Sequence, residues 1–325
     1  MLDRILSTGL KVLNGGSITR TEALDLAQAT GADIYILAAL ASKIREQYTG
    51  SRIDLCSIIN GKSGNCSENC KFCSQSAFST CTIETYPLLD EEKIIQYAHT
   101  MERSGAHRFA IVTSGRGVTE QDPDLISIIP IIRRLKAETN LKLCVSLGEV
   151  TEAAAKLLKN AGISRYHHNL ETSEEFFPHI VTTHTYQDRI KTIQCAREAG
   201  MEICSGGIIG LGETMNQRID LAYALHDLGV DSVPINILNA IPGTPLGDEP
   251  PLSPLEIIKT FALFRFILPH TEIRSAGGRE KHLHDLQSIG LIAGLNGMMV
   301  GNYLTTNGRE IFDDLKLAND MGYSL

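Results

Sequence analysis

The chain has 325 residues, 43% of them hydrophobic, and a formal net charge of −8. That length and apolar content suit one large α/β domain and exclude a disordered chain. The acidic balance, with no basic patch, excludes nucleic acid as an expected partner. No apolar run is long enough to cross a bilayer. The N-terminal residues Met1-Leu2-Asp3-Arg4 do not read as a secretion signal, so the cytoplasm is the expected location.

Residues 1–50 read as helices. The stretch from Ile18 to Leu24 offers an N-cap candidate before an apolar run, and 34–44 is helix-like. From Ile53 onward, short apolar runs alternate with amphipathic segments. Strands are predicted at 53–59, 108–113, 142–147, 164–170, 202–209, 232–238, 271–276 and 296–300. A helix is predicted after Thr151, stopping before Gly162. Another follows Thr185, with Asp188 in its first turn, and ends near Gly200. Eight βα units imply a TIM-type (β/α)8 barrel over 51–325, including a C-terminal tail, behind an N-terminal helical extension. An open doubly wound sheet would put a glycine-rich dinucleotide turn after the first strand. A cysteine-rich loop stands there instead.

That loop is Cys66-Ser67-Glu68-Asn69-Cys70-Lys71-Phe72-Cys73. Three thiolates can hold a four-iron cluster and leave one iron open, able to chelate the amino and carboxylate groups of S-adenosylmethionine. A structural zinc site would instead close four ligands, and this loop offers three with no nearby histidine. The spacing, with Phe72 before the last cysteine, resembles the radical S-adenosylmethionine superfamily. The resemblance puts Phe72 beside the adenine.

Cys56, Cys144 and Cys204 fall on the first, third and fifth predicted strands, and Arg274 on the seventh. Barrel interiors fill in layers from alternate strands, so these four form one layer if each points inward. Buried cysteines also serve simply as small hydrophobes, but an arginine among buried thiols needs an anionic partner. An anionic cluster would supply one. Cys195, mid-helix between Ile193 and Ala196, reads as packing.

The run from Cys56 through Cys73 to Ser76, Tyr166-His167-His168-Asn169-Leu170-Glu171-Thr172-Ser173, and Cys204-Ser205-Gly206-Gly207 through Gly210 to Glu213 resemble the biotin synthases. So do Val233 to Asn236, Arg274 with Gly277 to Glu280, and Leu304-Thr305-Thr306. The resemblance implies conversion of dethiobiotin to biotin. Deoxyadenosyl radicals would take hydrogen from two saturated carbons, and an auxiliary iron–sulfur cluster would give up the bridging sulfur. It further implies that Asn169 and Asn236 contact dethiobiotin or the adenosyl group. Glu171, where aspartate is usual, would bind ribose hydroxyls, and Arg189 the methionine carboxylate. Thr305 and Thr306 would hold the substrate's carboxylate tail. Gly207 and Gly210 would let backbone approach the cofactor. A flavodoxin- or ferredoxin-type electron donor and a homodimer are implied as well.

Three positions depart from the family pattern. Ala110 stands where an auxiliary-cluster cysteine is usual, Cys56 where serine is common, and His167 where asparagine is. The expected consequence is a rebuilt auxiliary cluster, of four-iron rather than 2Fe–2S type. Its ligands would be Cys56, Cys144, Cys204 and either Cys81 or Arg274; Cys81 equally reads as an ordinary loop thiol. Two competing functions remain open to the sequence. One is another radical enzyme of this branch, a hydrogenase-cofactor maturase or methylornithine synthase type. The other is a non-enzymatic iron–sulfur protein.

Overall fold

A computed structural model describes residues 1–325. Three helices, Leu2–Leu13, Arg20–Leu26 and Ala32–Thr49, precede the first strand. Thr19 caps the second of them through a reciprocal pair of bonds with Glu22. The third packs against both Leu2–Leu13 and the later helix Pro254–Ile267. It is tied down where Tyr48 Oη donates to the Val12 carbonyl at 2.6 Å.

The barrel strands are β1 (Asp54–Lys62), β2 (Arg108–Thr113), β3 (Lys142–Ser146), β4 (Arg165–His167), β5 (Glu202–Cys204, continuing as Gly207–Ile209), β6 (Ser232–Ile237), β7 (Glu272–Ser275) and β8 (Gly297–Met299). Every neighbouring pair is parallel. Pairing of β8 with β1 and of β6 with β7 closes the ring. Each strand is buried on both faces, as a barrel wrapped by helices requires. Four of the wrapping helices start on hydroxyl caps: Thr151, Thr185, Thr214 and Ser253 each accept a backbone N–H of the first turn.

Most of the predicted strands match to within a residue or two at each end, but two depart further from the sequence pattern. The fourth stops at His167, and the chain beyond it turns away at Glu171, which adopts a left-handed backbone (φ 69°). The fifth breaks at Ser205 and Gly206. Opposite the break stands Pro234, which has no N–H to give to the ladder. A Cβ on Gly206 would lie 2.0 Å from the Pro234 carbonyl oxygen, so only glycine fits there.

The last helix, Ile311–Asp320, docks through Asp314, whose side chain is fully buried. It pairs with Arg279, just after β7, and with Arg309 at 3.3 Å. Removing one partner of a buried pair leaves an uncompensated charge. Asp314→Ala should therefore cost about 3–5 kcal/mol of stability, read as a lower urea midpoint at unchanged slope.

Candidate functional site: a thiol-lined barrel interior

Strand alternation decides which side chains face the barrel axis. On β4 it turns Arg165 and His167 inward, with Asn169 just beyond the strand end; on β1 it turns Asp54, Cys56 and Ile58. All of these but Asp54, with Cys144 of β3, Cys204 of β5, Asn236 of β6 and Arg274 of β7, surround a cavity of about 400 Å³. Its upper wall comes from loops: Cys70, Phe72 and Cys73 on one side, Thr305 and Thr306 on the other. Asn169 and Glu171 also line it. The structure thus gathers twelve of the sequence-predicted site residues around one space.

The cysteine loop is folded onto itself. Cys66 N–H donates to Gln75 at 3.0 Å, Cys73 N–H to Cys70 at 3.0 Å, and Lys71 N–H to Ile180 at 3.0 Å. Cys66 is off the cavity wall but close enough to act electrostatically on both Cys70 and Cys73. The Glu68 carboxylate, nearly buried, pairs with His184 and accepts from Thr183 Oγ1 at 2.6 Å. Asn69 Oδ1 accepts the N–H of Thr182 at 2.9 Å. These contacts across more than a hundred residues were not legible in the local spacing of the cysteines.

Burial pushes the Cys70 thiol up to about 12, Cys73 to about 11 and Cys144 to about 12, and raises Cys56 as well. In such a site a thiolate needs a positive centre to exist. Cys204 shows the reverse. Burial opposes its ionisation, but His167, Arg274 and Arg165 prevail and bring it down to about 6. His167, in turn, is disfavoured as a cation by burial and raised overall by Cys204. No three His, Cys, Asp or Glu side chains converge tightly enough to hold a single metal ion.

Arg274 is 2% exposed. Its Nη2 donates to Asp54 at 2.9 Å and contacts Glu272, while its Nε has no partner. Arg189 stands behind the wall, donating to the Asn169 carbonyl at 2.9 Å and 3.6 Å from the Glu171 carboxylate. Asn169 Nδ2 donates to Glu171 at 3.2 Å, and its Oδ1 accepts the Gly206 N–H at 3.0 Å. Asn236 spans two loops, accepting from Gly277 N–H at 3.0 Å and donating to the Gly207 carbonyl at 3.3 Å. Thr305 Oγ1 lies 3.0 Å from Ser74 Oγ, joining the two sides of the mouth.

Besides Cys66 and Arg189, three expected residues, Gly207, Cys81 and Gly210, are not on the cavity lining. Cys81 is not with Cys56, Cys144 and Cys204. Its loop is pinned where Thr80 N–H donates to the Gly243 carbonyl at 2.9 Å, and its Sγ contacts the Pro242 carbonyl at 3.2 Å. Gly210 is off the cavity wall, in a turn whose N–H donates to Glu213 at 2.8 Å; Glu213 is held by Arg218. Residues that spacing alone did not single out for the site are Arg165, Asp54, Glu272, Tyr303 and the Glu68–His184 pair. The period-2 pattern of β1, β4 and β7 carried the signal for the first three.

A closed parallel barrel with a three-cysteine loop after its first strand, opening onto a largely apolar cavity studded with polar side chains, defines a radical S-adenosylmethionine type of site. A family model of the radical SAM superfamily matches residues 62–237. A second, the biotin and thiamin synthesis associated domain, matches residues 234–324. The chain is 56% identical over its full length to a biotin synthase of Carboxydothermus hydrogenoformans, covering all of both chains. It is 53% identical to a biotin synthase of Clostridium acetobutylicum, covering 98% of this chain and 97% of that one. Among solved structures, methylornithine synthase superposes with a TM-score of 0.85 at 20% identity, covering 98% of this chain and 96% of that one, a likeness of fold. The chain belongs to the biotin synthase family.

Gly207 forms a parallel backbone bridge with Glu171 of the neighbouring segment, and a Cβ there would sit 2.3 Å from the Glu171 carbonyl oxygen. Gly207→Ala must therefore move backbone on the cavity wall. The expected loss is about 1–3 kcal/mol in urea unfolding, the usual cost of overpacking.

Proposed function

We propose that this chain converts dethiobiotin to biotin with two iron–sulfur clusters housed at two depths of one barrel. Membership in the biotin synthases implies a 4Fe–4S cluster and S-adenosylmethionine. In the proposal Cys66, Cys70 and Cys73 hold that cluster at the mouth. Cys56, Cys144 and Cys204 hold an auxiliary four-iron cluster below it, with Arg274 beside it. The observation that carries this reading is the presence of two separate sets of thiols, at the mouth and on the inner strands, around a single cavity. The chemistry supplied by the bound groups is reductive cleavage of S-adenosylmethionine to a deoxyadenosyl radical, and sulfur for two new C–S bonds.

The chain's own residues place and shield the reactants. Glu171 is set to accept ribose hydroxyls, because Asn169 and Arg189 fix its carboxylate. Arg189, with its Nε unpartnered, has a donor left for the methionine carboxylate. Thr305 and Thr306 offer donors to the substrate's carboxylate tail, opposite the inner thiols. Asn169 and Asn236 bracket the middle of the cavity, where the ureido ring would lie. Phe72 gives an apolar face at the mouth, for the adenine. The fit of the deeper group rests on buried thiols that resist ionisation without a cation, and on the unpartnered Arg274 Nε. A flavodoxin- or ferredoxin-type electron donor, a homodimer and a cytoplasmic location complete the proposal. No helix is long and apolar enough to cross a membrane.

Anaerobic reconstitution separates the two thiol sets. Cys70→Ala should lose about four irons and all cleavage of S-adenosylmethionine. Cys56→Ala should keep that cleavage, alter the auxiliary Mössbauer signal and stop biotin formation. Cys56→Ala protein that makes biotin at the wild-type rate with an unchanged auxiliary spectrum would refute the ligand set. Cys81→Ala is expected to leave the auxiliary spectrum as it is, since its thiol faces Pro242 rather than the cavity.

A further inference from the structure

The auxiliary thiols are not equivalent. Cys144 packs with Ile58 and Ala110 in a small apolar cluster. Cys204 has a polar companion instead: His167 Nδ1 lies 3.3 Å from its Sγ. The pairing is built into the sheet. His167 of β4 and Cys204 of β5 are direct register partners, and both line the cavity. Beside them His168 N–H donates to the Cys204 carbonyl at 3.0 Å, which holds the two strands together at this level. No protein carbonyl or carboxylate competes for His167 Nδ1.

We propose that His167 is a positioning residue for the auxiliary cluster, donating its Nδ1–H to the Cys204 sulfur and so setting that cluster's reduction potential. The inference rests on the two-cluster reading above. An iron-bound thiolate has no proton to give, so the imidazole must be the donor, and this fixes the tautomer with hydrogen on Nδ1. A hydrogen bond to a cysteine sulfur withdraws electron density from the iron–thiolate bond, which favours the reduced cluster. It also holds the Cys204 side chain in one orientation as the cluster changes charge. Arg165 is held by Glu202 and Glu272 and Arg274 Nη2 by Asp54, while Arg274 Nε is free; the imidazole is the side chain that lies within hydrogen-bond reach of this sulfur.

The test uses the full chain with both clusters reconstituted. His167→Leu removes the donor, and His167→Asn offers an amide donor in its place. Potentials of both clusters are read by spectroelectrochemical titration. The expected result in His167→Leu is an auxiliary potential shifted to more negative values, an unmoved mouth-cluster potential, and biotin formation down by about tenfold or more. His167→Asn should recover part of the shift. An auxiliary potential unchanged in His167→Leu overturns the proposal. Should His167→Leu fail to take up iron, wild-type protein labelled with 15N-histidine decides by pulsed EPR of the reduced auxiliary cluster. A weak coupling, of hydrogen-bond size, supports the proposal. A large coupling from a directly bonded nitrogen, or none, overturns it. Iron for a mouth cluster alone would instead overturn the two-cluster reading itself.

Discussion

Charge buried inside a parallel barrel must be neutralised inside it, and in this chain that constraint sets the floor on which the site stands. Arg108, Arg165 and Arg274 all point into the lower barrel and are nearly inaccessible. Asp54 lies 3.3 Å from Arg108 Nε and 2.9 Å from Arg274 Nη2. Glu272 lies 3.0 Å from Arg165 Nη1, and Glu202 lies 2.9 Å from Arg165 Nε. Burial works against the Asp54 carboxylate, yet Arg274 and Arg108 hold it below the usual carboxylate range. Desolvating such ions costs several kcal/mol each, so only a well-matched network is tolerable. Once matched, it fixes the height at which Cys56, Cys144 and Cys204 face one another. Without it, the positive side chains beneath the thiols would have no stable arrangement.

The same constraint explains how the chain manages without a cysteine on β2. Ala110 pairs in register with Ile58 on one side and Cys144 on the other. Its small side chain leaves that stretch of wall apolar. The neighbouring strand supplies a thiol one inward step lower, at Cys56, opposite Arg108. Moving the thiol across one strand and down one pleat brings it level with the arginine floor, beside Arg108.

Much of this was readable from residues alone. All eight barrel strands lie where short apolar runs fall between amphipathic segments, because parallel strands buried on both faces cannot alternate strongly. Cys56, Cys144, Cys204 and Arg274 sit on the first, third, fifth and seventh strands, so period-2 alternation is enough to bring them to one interior. Long-range anchoring was not readable. The position of Cys81 depends on a bond to Gly243, and the loop of Cys66 to Cys73 is held by His184 and Thr183. Neither contact leaves a local pattern. The break in β5 was in principle legible from Pro234, but only once β5 and β6 were known to be neighbours.

The most direct measurement is the iron anomalous scattering of anaerobically reconstituted crystals. Two separate iron centres should stand in one barrel: one within bonding reach of Cys66, Cys70 and Cys73, the other among Cys56, Cys144 and Cys204. A single iron centre, or density at the mouth that scatters at the zinc edge, would contradict a barrel that pairs a radical-generating cluster with a sulfur source beneath it.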